Sequence, residues 1–224
     1  MESQGFPEAG LRFLAELALN NERTWFSAHK KEYESAVAAP AKAMLADLVP
    51  ALSELSGQEM GGKIFRIHRD VRFSKDKTPH NTHVRMAFHP TATGKGACGA
   101  KPGFFLSLEP DVIITGAGSM EFPKETLAAY RAAVDGDAAG KALEKLLKPY
   151  CGGKDGLRLE EPELKRVPAG FDPEHPRADL LRRKSLRVWQ EEPVPRALHS
   201  AKAVDHLLRR FKKHLPVYRW LSTL

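Results

Sequence analysis

Two hydrophobic rhythms divide the chain. Leu11, Leu14, Ala15, Leu17 and Ala18 recur at steps of three and four, the period of a helix with one buried face. Pro7 suits its entry and Asn20-Asn21 its end, with Asn21 placed to cap the next helix. Trp25, Phe26, His29, Tyr33 and Val37 trace a second helical face. Pro40 opens a third helix with Met44, Leu45, Leu48, Leu52 and Leu55 inward, stopped by Gly57 and Gly61-Gly62. The spacing thus predicts a helical part over 8–57.

The pattern then changes. Residues 64–73, 84–88, 104–108 and 112–115 are rich in β-branched and aromatic side chains and predict strands, the last two joined by a Glu109-Pro110-Asp111 turn. Gly116, Gly118 and Ser119 predict a tight bend closing this strand-rich part, 63–118. Helical spacing returns from Pro123, taken as a first helical position, to about Val134, and again after Asp137 through Leu143, Leu146 and Leu147. The rest of 123–224 reads as an extended KRVPAGFDPEHP segment with Pro173 and Pro176 each suited to open a helix. A short helix at Leu180-Leu181, a strand Leu186–Trp189, a helix from Val204 to His214 and a last helix after Pro216 follow. Helices, then strands, then mixed elements predict a single α+β domain over 1–224. Its central antiparallel sheet would be packed by the carboxy-terminal helices.

Composition adds bounds. A chain of 224 residues with 42% hydrophobic and 28% charged positions can build a core without staples. The two cysteines, Cys98 and Cys151, form no CxxC pattern, so a disulfide between them is not indicated and a reducing, cytoplasmic setting is the default expectation. The first residues lack the basic and apolar regions of a signal peptide, and no apolar run approaches the ~20 residues of a membrane span, so no membrane association is expected.

Charge changes the picture more. Between Lys63 and Lys101 stand nine basic residues, Lys63, Arg66, Arg69, Arg72, Lys75, Lys77, Arg85, Lys95 and Lys101, against only Asp70 and Asp76. That excess equals the +7 of the whole chain, so the remainder is balanced. Concentrated positive charge raises the local concentration of anions.

Several motifs then combine. NNERTWFSAHKKEY (20–33), RIHRDVRFSKDKTPHNTH (66–83), LKRVPAGFDPEHPRADLLRRKSL (164–186) and the closing Leu215-Pro216 with Trp220-Leu221 resemble, in order and spacing, the uncharacterised family called domain of unknown function 2461. The resemblance covers essentially the whole chain. It implies a single α+β domain and brings no established activity, substrate or cofactor. Where that family usually reads SKDKxPYK, this chain has SKDKTPHN, so His80 and Asn81 replace an aromatic and a lysine. A ligand contact made by that lysine would be missing here.

The basic motif carries the candidate chemistry. Arg66, Arg69, Arg72, Lys75 and Lys77 can converge on an anion in either extended or helical geometry, arginine by its fork and lysine as a point charge. Ser74 and the backbone of the Ser-Lys-Asp-Lys turn could complete an anion nest. Asp70 and Asp76 sit among cations that lower a carboxylate's pKa, so they read as aiming the arginines rather than as bases. In the second motif Lys165, Arg166 and His175 flank a proline-rigid corner. One expectation is that this corner lies against the basic motif, so that Arg66, Arg69, Arg72, Lys165, Arg166 and His175 line one cleft. The alternative is a packing corner.

Other readings are weaker. His80 and His83, with His68 and His89 nearby, lack a third ligand at a defined spacing, so no metal is expected and no cofactor is called for. Cys98, in the Gly-rich GKGACGAKPG stretch, reads as a loop cysteine in a segment that would cover a site. The expected partner is an anionic small molecule bearing phosphate or carboxylate. Nucleic acid bound by segment 63–101 and an acidic protein docked on a scaffold are the alternatives. Phe73 and Phe88 read as buried, which favours a confined pocket.

Overall fold

In the computed structural model, which describes residues 4–91 and 101–224, the chain forms one six-stranded antiparallel sheet backed by helices. The order is β1 (Met60–Ile64), β2 (Val84–Pro90), β3 (Gly103–Leu108), β4 (Val112–Ser119), β6 (Leu186–Pro193) and β5 (Leu157–Leu159). The helices are α1 (Glu8–Leu19), α2 (Arg23–Ala28), α3 (Lys30–Ser56), α4 (Lys124–Asp135), α5 (Asp137–Leu147), the short α6 (Ala178–Leu181) and α7 (Ala203–Leu221). This is the expected α+β class. Lys95, Cys98 and most of the Gly-rich stretch lie outside the described residues.

One sheet face is the core face because the strands alternate. Phe88, Phe104, Ala117 and Val188 are cross-strand neighbours and all buried. α7 lays Phe211 and Tyr218 on Phe104, with ring centroids 5.5 and 4.6 Å away. Helix α3 is apolar and long enough to cross a membrane by length and composition, but its Val37, Ala41, Met44, Leu48 and Leu52 are buried in this core. A second apolar cluster, holding Tyr130, Leu143, Leu147, Leu181 and Val188, joins α4, α5 and α6 to the β6 side. α7 supplies residues to both clusters.

Several local expectations fail for identifiable reasons. Gly116 and Gly118 do not make a bend but lie inside β4. A Cβ at Gly116 would meet the Phe105 ring at 2.2 Å, so glycine there lets that ring lie across the sheet. Gly61 and Gly62 likewise belong to β1, and Gly57, in the left-handed conformation at φ 75°, ends α3 alone. Pro216 does not break α7, because Leu215, Val217 and Tyr218 are buried on both sides of it. Pro123 stands one residue before α4, and neither Pro173 nor Pro176 opens a helix.

Pro40 has a subtler effect. The second predicted helix is split, with Trp25 and Phe26 in α2 and Tyr33 and Val37 in α3, which runs on through Pro40 and whose Tyr33–Ala38 stretch widens to a π-helix. Proline has no N–H to give the Ala36 carbonyl four residues back, and the Ala39 N–H bonds Glu34 instead, the i→i+5 pattern. α1 crosses against this turn, where a Cβ on Gly10 would meet the Ala36 oxygen at 2.5 Å.

Candidate functional site

The basic motif is not the regular strand predicted over 64–73. Only Ile64 belongs to β1, and the motif continues the β1–β2 hairpin as a long irregular excursion. The Phe65 N–H bonds the Arg85 carbonyl, the Asn81 N–H bonds Ile67, and the Arg69 N–H bonds Pro79, with His68 bridging His80. Between the first and second of these contacts the pairing slips by two residues. Thr82 and His83 are the extra residues, a bulge on the returning strand.

Asn21 fixes the excursion from outside. It was expected to cap α2, but Glu22 holds that position. Asn21 instead treats His80 as a strand partner: its Nδ2 donates to the His80 carbonyl at 2.9 Å and its Oδ1 accepts from the His80 N–H at 3.0 Å. The His80 ring stacks on Phe26 of α2, with centroids 4.2 Å apart and planes at 22°, and is 3% exposed. Phe26 also meets His68 edge-on at 5.5 Å. Burial, then the charges of His68 and Arg23, pushes the His80 pKa below its ordinary value. Neither His80 ring nitrogen has a hydrogen-bond partner among the described residues.

The acids hold the excursion's shape. Asp76 accepts from the Thr78 N–H and hydroxyl, both at 2.9 Å, and pairs with Arg69 Nη1 at 2.5 Å. These bonds depress its pKa to about 2, the Thr78 backbone bond contributing most. Arg69 also bonds Thr78 and, at 3.5 Å, Ser74 Oγ, so its guanidinium ties the loop together. Asp70 grips Arg72 at 2.6 Å, and that side-chain bond lowers its pKa. Neither carboxylate is poised as a base at neutral pH.

Two concavities flank the motif. The larger, about 310 Å³, is lined by Arg23, Phe26, Ser27, His68, Arg69, Val71, Pro79 and His80. The smaller, about 220 Å³, lies between the π-helical turn of α3 and residues 64–67, with His83 and Val84. Neither has a carboxylate in its lining.

The sequence-derived candidates separate into groups. Arg69 lines the larger groove and Arg66 the smaller. Asp70, Arg72, Lys75 and Lys77 sit on the exposed part of the excursion, Lys77 donating to the Val71 carbonyl at 3.0 Å. Arg72 stands over the ring of Phe73, 5.8 Å from its centroid. Phe73 was expected to be buried and is 95% exposed, whereas Phe88 is buried.

Lys165, Arg166 and His175 lie elsewhere, so the single cleft expected from both motifs does not form. The basic excursion leaves the sheet where Val84, Leu108, Ile113 and Glu192 are aligned. The second motif enters at the other end, beside Leu186 and Ser119, roughly 20 Å away along the strands and across several strands. There His175 Nε2 lies 3.5 Å from Asp135, and its Nδ1 accepts from the Arg177 N–H at 3.0 Å. Arg177, 5% exposed, donates to the Val134 and Asp135 carbonyls at 2.7 and 3.1 Å, which closes the end of α4. Lys165 and Arg166 are exposed, and the Lys165 carbonyl accepts from Arg182. Sequence reasoning missed Arg23 and Lys42 as lining residues, and weighed His68 as a metal ligand and His80 as a metal ligand and as the replacement of a family aromatic. Arg23 lies over forty positions from the motif it faces, and nothing local marks it.

Residues 9–220 match the family described as Conserved hypothetical protein (DUF2461), and the chain belongs to it. No curated protein sequence matches.

Proposed function

We propose that this member of that family binds a small phosphate- or carboxylate-bearing molecule in the groove between α2 and the 68–80 excursion. One observation carries the reading: Arg23, Arg69, His68 and His80 line a groove of about 310 Å³ whose lining holds no carboxylate. Arg23 makes no ion pair among the described residues, and an anion in the groove would supply its counter-charge. Phe26 and Val71 supply an apolar wall for the rest of the molecule. Because Arg69 is spent partly on Asp76, Arg23 is the freer phosphate partner. The reading is of binding, with no reaction attached. Isothermal titration of the whole chain with inorganic phosphate and glycerol phosphate tests it. Saturable binding that Arg23→Ala weakens at least tenfold is expected, and absence of binding by the unmodified chain would sink it.

A second reading, single-stranded nucleic acid along the basic excursion, is favoured by Phe73. An exposed ring carrying an arginine on one face, beside Lys75, resembles a stacking platform for a base. That reading requires oligonucleotide affinity that falls steeply with salt and drops about tenfold or more in Phe73→Ala.

A further inference from the structure

The smaller concavity has a different character from the groove, and its chemistry does not depend on the groove. Its floor is apolar: Val37 and Ala41 of α3, Ile67 of the excursion and Val84 of β2 are all buried. Lys42 and Arg66 stand at its margin, both exposed, and neither makes an ion pair among the described residues. Tyr33 and His83 are the other lining residues with polar side chains. Burial raises the Tyr33 pKa, and burial with the Arg85 charge lowers that of His83, so both are neutral hydrogen-bonding groups at pH 7.

Two local irregularities of the backbone build this place. The π-helical turn forced by Pro40 supplies Tyr33, Val37 and Ala38 to one wall. The two-residue bulge of the β1–β2 excursion brings His83 to the other. π-Helical turns and bulges both break regular hydrogen bonding and concentrate at binding sites. An apolar floor under two unpaired cations suits a molecule with an apolar body and one negative end. A dry apolar cavity of about 150 Å³ holds a benzene molecule, so about 220 Å³ leaves room for a ring and a carboxylate.

We infer that this pocket binds a small amphiphilic anion, an aryl or short acyl carboxylate, with the carboxylate between Lys42 and Arg66 and the body on Val37, Ile67 and Val84. The probe is benzoate, titrated calorimetrically into the whole chain. Acetate supplies the charge without the body, and benzyl alcohol the body without the charge. Benzoate should bind at least tenfold more tightly than either. The exposed positions of Lys42 and Arg66 make Lys42→Ala/Arg66→Ala a variant that folds. It should weaken benzoate about tenfold or more and leave benzyl alcohol unchanged. Saturating inorganic phosphate should not displace benzoate, because it occupies the other groove. Benzoate binding no tighter than both controls, an unaltered benzoate isotherm in the double variant, or competitive displacement by phosphate would each overturn the assignment.

Discussion

The 65–83 excursion and the 160–187 corner are both rich in arginine and lysine, yet only the excursion's charge lines a concavity. In the corner four of the seven arginine and lysine side chains, all of them arginines, are consumed by the fold, while Lys165, Arg166 and Lys184 are exposed and line neither concavity. Arg177 closes α4, Arg183 bonds the Glu160 carbonyl, Arg187 pairs with Glu160, and Arg182 pairs with Asp179. Glu163 receives the Lys184 N–H at 2.9 Å and the Ser185 hydroxyl at 2.5 Å. In the excursion two arginines are matched to Asp70 and Asp76, while Arg66 and Lys75 have no ion-pair partner among the described residues. Positive charge in a sequence therefore does not mark a ligand site by itself. Unmatched positive charge lining an acid-free concavity is the sharper indicator.

The largest expected effect sharpens this contrast from the structural side. Arg177→Ala leaves buried α4 carbonyls without donors and should cost about 3 kcal/mol, since hydrogen bonds to charged groups and orphaned buried acceptors each count for one to three. For a domain of this size that is roughly 6–12 °C in melting temperature by calorimetry. The same variant should keep its phosphate affinity at temperatures where it is folded.

A pH titration of stability separates the interior from the excursion. His214, fully buried beside the Tyr150 hydroxyl at 2.9 Å, has its pKa pushed down to about 4, chiefly by burial and then by Lys213. The unfolded chain holds that proton more tightly, so stability is complete above the ordinary histidine pKa of about 6.5 and falls as pH drops through 4. The loss approaches about 3 kcal/mol, and His214→Phe should flatten it in urea melts across pH 7 to 4. Asp76, at about 2, stays charged over that window, so the excursion should keep its shape until more acid conditions. A stability profile that His214→Phe does not alter would break this division.

The smallest effect is local. Asp76→Ala should leave the melting temperature nearly unchanged, because the carboxylate is solvent-exposed and surface pairs contribute little. Amide exchange at Thr78 should nevertheless accelerate, since its N–H loses its acceptor. Unchanged exchange would show that Arg69 and Asp76 do not hold the excursion.

Much of this fold was legible in the chain. The three- and four-residue spacing of Leu11–Leu17 and Met44–Leu52, and the runs Phe104–Leu108 and Val112–Thr115, report burial directly. Failures cluster where tertiary contact overrides a local signal. Gly116 reads as a turn because nothing adjacent reveals that Phe105 will cover it. Asn21 reads as a cap because its true partner, His80, is fifty-nine residues away. The candidate site was half legible: the basic motif stood out, but Arg23, Phe26 and Lys42, which make its flanks concave, come from helices that look like ordinary core elements. The second motif was misplaced because a motif reveals its residue types and not which end of the sheet it will occupy.

The most direct test sets the two regions against each other in one thermal-shift series with inorganic phosphate, using the unmodified chain, Arg23→Ala and Arg166→Ala. For a dissociation constant of about 1 mM, 10 mM phosphate should add about 1.4 kcal/mol, a shift of roughly 3–5 °C. The account predicts that Arg23→Ala loses this shift and Arg166→Ala retains it in full. A shift lost in Arg166→Ala but kept in Arg23→Ala would contradict the assignment of the unmatched charge near α2 as the anion site.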